Sequence, residues 1–401
     1  MTPYGESAIL KKMGGSGMTV KFGIIGLGNR GYKYTLRTIQ AHKDVEIKMV
    51  CDALGHHFDL FPGVLNTTDY REVLANPEVD AIFIATPDDT HAEIILAAIE
   101  ADKHILCEKP LEISDERITL IEEKLQGYNK VFEVGYVLRY ARTFSRVKDF
   151  LTSGIIGRVI MADVIDHIQY GGYAFFHDWH RTRAKATSLL LQKATHSLDL
   201  INWYLDSDPK NVVAFGDLAV FGEVGAIEKF GRPVPDTLHC HECEIRDVCE
   251  ESIQNLAKEK NINWSDNWPD SCVFNSEIDV DDHQTVMIRY ENGAKATYQL
   301  CQFAAYYKRE FHFFGTKGEL YFDDVTNQIV IHDRLKAETL TYDNQHLEQQ
   351  MEPGDEEQLA DFLAAINTGK SPVSNLTSSV QAGRLALAAQ RSIDQETIEH
   401  I

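Results

Sequence analysis

Short apolar segments alternate with segments of helical periodicity over the first third of the chain. Buried strands are predicted at five places, "VKFGII", "EIKMVCD", "DAIFIATP", "KHILCEKP" and "KVFEVGY". Helices are predicted between them, over residues 29–41, 70–75, 90–101 and 114–127. Near-continuous apolar strands that alternate with helices form parallel sheets covered on both faces, and such crossovers are right-handed. The pattern therefore predicts an α/β domain with a doubly wound parallel sheet.

Beyond Tyr140 the pattern changes. A helix is predicted over residues 143–153, followed by a long alternating strand around "RVIMADVIDHIQY". Another helix begins near Thr195. We therefore place a domain boundary near Tyr140, which gives a first domain over residues 18–140 and a second over residues 141–401.

The last third of the chain contains longer alternating strands. The pair Asn292-Gly293 lies between two of them, which is typical of a β-hairpin. The segment "GTKGEL" marks a further turn, and two helices are predicted over residues 355–367 and 378–392. This pattern predicts an α+β domain whose large, mainly antiparallel sheet is covered by helices on one face.

Charge narrows the possible partners. The chain has 401 residues, with 39 basic and 61 acidic side chains and a formal net charge of -22. Such a surface repels nucleic acid and anionic membrane, so we expect neither as a partner. No run of eighteen apolar residues is present, which argues against a membrane span.

Two further features concern the setting of the chain. Residues 1–17 end in Gly-Gly-Ser-Gly before a second methionine, which is typical of an added tag with its linker; an authentic leader is the alternative. The seven cysteines are an odd number and are sparse over most of the chain. That usage favours a reducing compartment, and we expect a cytoplasmic protein.

The first predicted strand leads into a glycine-rich turn, "GIIGLGNRG". Gly26, Gly28 and Gly31 have G-x-G-x-x-G spacing and open a predicted helix. In this context the glycines allow a tight turn, close approach of a pyrophosphate and close packing of the helix. Asp52 follows at the end of the second strand, where a carboxylate accepts the ribose hydroxyls of NAD and repels a 2′-phosphate. These features predict an NAD-binding Rossmann domain; the alternative for Asp52 is a cap on the next turn.

The ends of the next strands supply further candidates. The third strand ends in "ATPDDTHAEI" and the fourth in "CEKPL", at the edge where ligands bind in open α/β sheets. Lys109 precedes Pro110, which disfavours a helical backbone there. A lysine near nicotinamide can polarise a substrate hydroxyl, whereas the alternative is a solvated surface lysine. With the glycine turn, these segments give one set of additional cofactor-binding candidates: Asn29, Arg30, Thr86, Pro87, His91, Glu108 and Lys109 itself.

The motifs "GIIGLGNRG", "ATPDDTHAE" and "CEKPL", in this order and spacing, closely resemble the Gfo/Idh/MocA oxidoreductases, which include glucose–fructose oxidoreductase and inositol dehydrogenase. The resemblance extends through "GYVLRY", "WHRTR", "ATHSLDLINWYL" and "FFGTKGEL" to the terminal helices. It implies a Rossmann domain joined to an α+β domain with an open sheet. The exposed face of that sheet commonly forms the oligomer interface, so a homodimer or homotetramer is expected.

The resemblance also implies roles for individual residues. Lys109 matches the lysine of the family's Glu-Lys-Pro motif, which contacts substrate and nicotinamide. His196 matches the histidine that acts as acid–base toward the reacting hydroxyl, in agreement with the near-neutral titration of imidazole; a satisfied histidine at a helix start is the alternative. Four further residues are candidate substrate contacts: Tyr136, Arg139, His180 and Arg181.

One position departs from the family pattern. The family often has aspartate four residues before the histidine, whereas this chain has Gln192 followed by Lys193. Glutamine cannot act as a base, which puts an aspartate-assisted relay in doubt. We include Gln192 as a candidate substrate contact and Lys193 as a third catalytic candidate that stabilises an oxyanion, the alternative being a helix-surface lysine.

A cysteine-rich insertion at about residues 236–282 does not follow the compact family pattern. Cys240, Cys243, Cys249 and Cys272 lie within it, the first two at C-x2-C spacing. Four soft ligands suit tetrahedral zinc, and we predict a structural zinc site. An iron–sulfur cluster, unpaired thiols and a pair of disulfides are the alternatives.

Three functions are compatible with these features. The first is an NAD(P)-dependent dehydrogenase that acts on a secondary hydroxyl of a sugar, inositol or related polyol. The second is a glycosidase that uses NAD transiently for oxidation and elimination. The third is a sensor that binds the dinucleotide without catalysis, against which Lys109 and His196 argue.

Overall fold

The computed structural model describes residues 19–235, 237–259, 269–344 and 353–401. The segment interpreted as a tag or leader, residues 1–17, lies outside the described residues. Within those ranges, no helix combines the length and apolar character that a membrane crossing requires.

The first domain is built on a six-stranded parallel sheet. The strands follow the spatial order β3-β2-β1-β4-β5-β6. They are β1 (Val20–Ile25), β2 (Val45–Cys51), β3 (Leu65–Thr67), β4 (Ala81–Ile84), β5 (His104–Cys107) and β6 (Phe132–Val134). Strands β4 and β6 are buried along their whole length, which is why their sequences are continuous apolar runs rather than alternating ones. The predicted doubly wound sheet is confirmed, with β3 as a short sixth strand.

Helices connect these strands. They are α1 (Asn29–Tyr34), α2 (Tyr70–Ala75), α3 (His91–Glu100) and α4 (Asp115–Leu125). Two of them begin at side-chain caps, since Asp69 accepts from the Arg71 amide and Ser114 from the Arg117 amide. The predicted helix over residues 29–41 is divided, because α1 continues as a π-helical turn over Thr35–Ile39.

The second domain contains a nine-stranded sheet in the order β14-β13-β12-β11-β7-β10-β9-β8-β15. All neighbouring pairs are antiparallel except β7 and β10. The strands are β7 (Val159–His167), β8 (Pro209–Asp217), β9 (His283–Tyr290), β10 (Lys295–Cys301), β11 (Lys308–Gly315), β12 (Gly318–Asp323), β13 (Gln328–Asp333), β14 (Glu338–Asp343) and β15 (Glu399–His400). The hairpin predicted at Asn292-Gly293 joins β9 to β10, with Gly293 at φ +85°.

Helices cover one face of this sheet. The remaining helices of the chain are α5 (Arg142–Thr152), α6 (Arg183–Ala186), α7 (Thr195–Leu205), α8 (Gly222–Phe230), α9 (Ile253–Glu259), α10 (Asp355–Thr368) and α11 (Leu376–Gln395). Aromatic side chains fill the layer between helices and sheet; Phe144 of α5, for example, packs edge-on against Phe311 and Phe322. The opposite face leaves Met161 and Met287 exposed.

Helix α10 packs in the first domain, although its residues follow the second domain in sequence. Leu359, Phe362 and Leu363 of α10 belong to the same buried cluster as Phe22 of β1. The Phe22 and Phe362 ring centroids are 6.0 Å apart. The chain therefore returns to its first domain after the second, so residues 141–401 do not all pack in the second domain.

Candidate active site

The glycine turn connects β1 to α1, and its three glycines have different surroundings. A Cβ added at Gly26, where φ is +93°, would lie 2.4 Å from the carbonyl oxygen of Ala85. A Cβ at Gly31 would lie 2.1 Å from the carbonyl oxygen of Gly26. A Cβ at Gly28 would meet nothing within 4 Å. Close packing thus requires glycine at two positions, while Gly28 faces open space beside Asn29, where α1 begins.

Asp52 is fixed beside this turn by backbone amides. Its carboxylate accepts hydrogen bonds from the amides of Leu27 at 3.0 Å, Leu54 at 3.0 Å and His56 at 3.1 Å. The side chain thus caps the turn that follows β2 and also contacts the glycine turn. Because a carboxylate offers about four acceptor positions, about one is left for a ribose hydroxyl. If the carboxylate is to accept from both ribose hydroxyls, one of these hydrogen bonds from the backbone amides must break.

The segments after β4 and β5 are held together by a buried histidine. The His91 ring nitrogens lie 3.0 Å from the Thr86 carbonyl oxygen and 2.8 Å from that of Pro110. The ring is completely buried, and burial lowers its pKa. His91 therefore links the two segments and leaves no surface for the predicted cofactor contact. Thr86, which precedes Pro87, also contacts Thr90 through the two hydroxyl oxygens at 2.7 Å.

Two other predicted cofactor residues are paired with each other. Arg30 Nε donates to Glu108 at 2.7 Å, and the two terminal nitrogens donate to Asp355 at 2.7 and 2.8 Å. Burial alone would lower the pKa of Arg30, but the two carboxylates raise it well above its ordinary value. This cluster joins the glycine turn, the "CEKPL" segment and α10. The sequence analysis missed Asp355, which lies 325 positions after Arg30.

Lys109 joins the two domains. Its Nζ donates to the main-chain oxygen of Gln192 at 2.7 Å. Gln192 and Lys193 lie on a π-helical turn, Leu190–Ala194, that leads into α7. Burial lowers the pKa of Lys109, and the nearby Lys193 adds to this effect, while the carboxylate of Asp88 opposes it.

His196 lies on the first turn of α7, beside these lysines. Burial lowers its pKa well below the ordinary value, and the charge of Lys109 lowers it further. Its Nδ1 is buried and has no hydrogen-bond partner among the residues that the structure describes. The imidazole is therefore neutral at neutral pH and has an unused nitrogen, as a general base requires.

Three more groups complete this region. Lys193 Nζ donates to the Tyr170 hydroxyl at 3.2 Å, and the Gln192 side-chain oxygen is buried without a partner within the described ranges. His180 stacks on Trp179 with ring centroids 3.8 Å apart. Burial and the charge of Lys109 lower the pKa of His180 to about 3, so a second neutral imidazole lies near the lysines.

Arg139, Arg181 and Tyr136 are placed differently from the prediction of substrate contact. The Arg139 guanidinium forms a buried, two-point ion pair with Asp199 at 2.7 and 2.8 Å. Arg181 donates to the Cys272 carbonyl oxygen at 3.2 Å and pairs with Glu277, and the residue is 7% exposed. The Tyr136 hydroxyl is buried against Thr195 Oγ1 at 3.0 Å. The polar group of each residue already has a hydrogen-bond partner within the protein, and these bonds hold together the segments next to the site.

Beneath His196 lies a buried charge network that the sequence analysis missed. The Asp166 carboxylate accepts from Ser197 Oγ at 3.0 Å and from Arg309 at 3.3 Å. Arg309 also approaches Asp324 at 3.6 Å, and Tyr307 donates to Asp324 at 2.8 Å. Burial raises the pKa of Asp324 to about 6, although Arg309 opposes the shift. A signal was present, since Asp166 and Arg309 occupy inward positions of β7 and β11 that alternation would give to apolar residues.

The four cysteines of the insertion, Cys240, Cys243, Cys249 and Cys272, are free thiols. All four line one small cavity. That cavity lies outside the Lys109–His196 region.

Comparisons with known proteins agree with this geometry. Residues 20–136 match the model of an oxidoreductase family with an NAD-binding Rossmann fold, and residues 144–321 match the C-terminal domain model of the same GFO/IDH/MocA family. YrbE of Bacillus subtilis, named an uncharacterized oxidoreductase, is 24% identical over 92% of this chain and 93% of its own length.

Other relatives have more specific names. Inositol 2-dehydrogenase of Salmonella typhimurium is 25% identical over 49% of this chain and 58% of its own length. Levoglucosan dehydrogenase, solved with NADH and L-sorbose, has the same fold, with a TM-score of 0.74 at 20% identity, over 96% of this chain and 99% of that one. With both family models matched in order, and with the two domains as described, this chain belongs to the Gfo/Idh/MocA family of NAD-binding oxidoreductases.

Proposed function

We propose that this protein is an NAD-dependent dehydrogenase acting on a secondary hydroxyl of a sugar, an inositol or a related polyol. One observation carries the proposal: the 2.7 Å hydrogen bond from Lys109 to the Gln192 carbonyl oxygen. The donor is a lysine from the cofactor side, and the acceptor lies on the turn that contains Lys193 and leads into α7 with His196. Two of the relatives reported above are named inositol 2-dehydrogenase and levoglucosan dehydrogenase, and these names support the substrate class.

The residues of the first domain fit a dinucleotide. Gly28 leaves open space at the beginning of α1, and the carboxylate of Asp52 lies beside it. A carboxylate at that position repels a 2′-phosphate, which favours NAD over NADP. When bound, the nicotinamide supplies the redox chemistry, and the protein supplies orientation and electrostatics.

In the proposed reaction, His196 takes the proton of the substrate hydroxyl. Its depressed pKa keeps the imidazole neutral and ready to accept. Lys109 and Lys193 donate to the oxygen as negative charge develops on it. Each ammonium has three donor hydrogens and gives one to the protein, Lys109 to Gln192 and Lys193 to Tyr170, so donors remain for substrate.

Substitution of His196 tests this role. His196→Asn removes the base, and kcat is expected to fall by about 10²–10⁴-fold, the usual contribution of a positioned acid or base. NADH formation is followed by absorbance on a panel of sugars and cyclitols, with NAD affinity measured by calorimetry. The matched control is His332→Asn, because the side chain of His332 is exposed on β13. Equal turnover in the His196 and His332 variants would contradict the role.

The same panel separates the rival functions when glycosides are included. Release of sugar from a glycoside without net formation of NADH would contradict the dehydrogenase and support the glycosidase that uses NAD transiently. Dinucleotide binding without turnover on any substrate would favour the sensor.

We also propose a homo-oligomer formed through the open sheet face. Met161, Phe215 and Met287 are 45%, 67% and 55% exposed on three strands of that face. Phe215 and Met287 are diagonal neighbours on β8 and β9, and Met161 lies two strands from Met287. Exposed apolar residues of this size mark interaction surfaces. Analytical ultracentrifugation is expected to give a dimer or tetramer, and a monomer at micromolar concentration would contradict this.

A further inference from the structure

The cysteine-rich insertion contains a cavity that the proposed dehydrogenase reaction does not use. Its volume is about 20 Å³, and its lining includes Cys240, Cys243, Cys249 and Cys272. A cavity of this size holds one water-sized occupant. Four of the seven cysteines of the chain are thus gathered at one small void, and none of them forms a disulfide.

Backbone pairing brings distant cysteines to this cavity. The Cys240 amide donates to the Asp270 carbonyl oxygen at 2.7 Å, and the Cys272 amide donates to that of Leu238 at 2.8 Å. An antiparallel bridge joins His239 to Ser271 between them. Cys240 and Cys272 are therefore neighbours although 31 residues separate them in sequence.

Tight turns place the other two thiols. The Cys243 amide donates to the Cys240 carbonyl oxygen at 3.2 Å, which closes the turn between them. The Cys249 amide donates to the carbonyl oxygen of Ile245 at 2.9 Å. Backbone hydrogen bonds thus fix the main chain of all four cysteines next to the cavity.

From this arrangement we infer that Cys240, Cys243, Cys249 and Cys272 bind one structural Zn²⁺ ion as four thiolates. Four protein ligands complete a tetrahedral shell and leave no open position, so the ion has no direct catalytic role. The size of the cavity favours a single ion over an iron–sulfur cluster. Arg246 also lines the cavity, and its charge offsets part of the negative charge of four thiolates on one Zn²⁺.

Binding draws the sulfurs closer together. With Zn–S bonds of about 2.3 Å, tetrahedral thiolates lie about 3.8 Å apart. Among the residues that the structure describes, the only group of three ligand atoms within 4.8 Å of one another is His239, His241 and Asp270. The cysteines therefore close around the ion. The neighbouring histidine group, whose two imidazoles contact the Asp270 carboxylate at 2.7 and 2.6 Å, is the rival location.

The site supports the wall of the catalytic region. The His177 ring bridges the carbonyl oxygens of Ser271 at 2.6 Å and Glu251 at 2.8 Å. Arg181 contacts the Cys272 carbonyl oxygen from the same segment, which also contains His180. A metal at the cysteines would hold this segment in place without touching substrate.

Metal content of the purified protein tests the inference directly. Mass spectrometry is expected to find one zinc per chain in the wild type, and less than a tenth of that in Cys240→Ser and Cys272→Ser. Cys301→Ser is the matched control outside the insertion, and His241→Ala tests the rival location. Both are expected to retain the zinc.

Two further measurements hold if a serine variant fails to fold. Titration of wild-type thiols with an organomercurial should release one zinc to a chromogenic chelator. Cobalt-substituted protein should show an intense thiolate-to-cobalt charge-transfer band. No zinc in the wild type, zinc lost only from His241→Ala, or iron with equimolar sulfide would each overturn the inference. Because metal content is measured without turnover, its failure is distinct from failure of the proposed dehydrogenase activity.

Discussion

The two sides of the candidate site are braced by ion pairs of different character. On the Rossmann side, the Arg30 side chain that holds Glu108 and Asp355 is 30% exposed. On the other side, the Arg309 side chain that holds Asp166 is only 6% exposed. Water screens and relaxes the first cluster, whereas removal of one partner from the second leaves an unpaired buried charge. Loss of the arginine should therefore destabilise the protein less on the cofactor side than on the side beneath His196.

The largest effect is expected at Arg309. Arg309→Met leaves the carboxylates of Asp166 and Asp324 without their buried cation and should destabilise the protein by about 3–5 kcal/mol. Urea unfolding followed by circular dichroism measures this. The control is Arg232→Met, at an exposed position outside the sheet. A loss below about 1 kcal/mol would contradict the expected cost of an unpaired buried charge.

The lysines come next, because they compare the contributions of the two sides of the site to catalysis. Lys109→Met should lower kcat by about 10²–10³-fold, as loss of one well-placed oxyanion donor does. Lys193→Met should cost about tenfold, equal to about 1.4 kcal/mol. Lys193 is held by a longer contact, 3.2 Å to Tyr170 against 2.7 Å from Lys109 to Gln192. The measurement is kcat from steady-state kinetics on the best substrate of the panel. A larger loss of kcat in Lys193→Met than in Lys109→Met would make Lys193 the main oxyanion donor.

Arg30 provides the smaller counterpart to Arg309. Arg30→Met removes charged hydrogen bonds to Glu108 and Asp355 and should cost about 1.5–3 kcal/mol. The measurement is the same urea titration, with NAD affinity determined in parallel. If Arg30→Met destabilises as much as Arg309→Met, exposure does not distinguish the two clusters.

The smallest effect concerns pH. Burial lowers the pKa of His196 below its ordinary 6.5, so the imidazole stays neutral until the pH falls below that value. The acid limb of kcat/KM should therefore lie below pH 6.5. Stability follows the same sign, because the unfolded histidine binds a proton at a pH where the folded one does not. It should decline as pH falls below 6.5, and an acid limb above that pH would contradict a neutral base.

The comparison also explains what sequence could predict. The parallel sheet, the glycine turn and the candidates Asp52 and Lys109 come from short motifs at strand ends, where local pattern and fold coincide. The Arg30 cluster depends on Asp355, which lies 325 positions later, and no local sequence pattern predicts that pairing.

The same limit applies to two of the predicted arginines. Arg139 is a predicted substrate contact, and sequence spacing does not show that its guanidinium binds Asp199, 60 positions later, in the interior. Arg181 turns toward the insertion because the Cys272 carbonyl oxygen lies there. Burial and long-range pairing are set by tertiary packing, and sequence spacing does not contain them.

Helix α10 has a consequence for how this protein can be divided. Its Leu359, Phe362 and Leu363 complete the apolar layer over β1, and its Asp355 secures Arg30. A fragment ending near Tyr140 would expose that layer to water and lose the ion pair. The dinucleotide-binding half is therefore not a transferable module, and chimaeras that take this half from the protein must carry α10 together with the strands it covers.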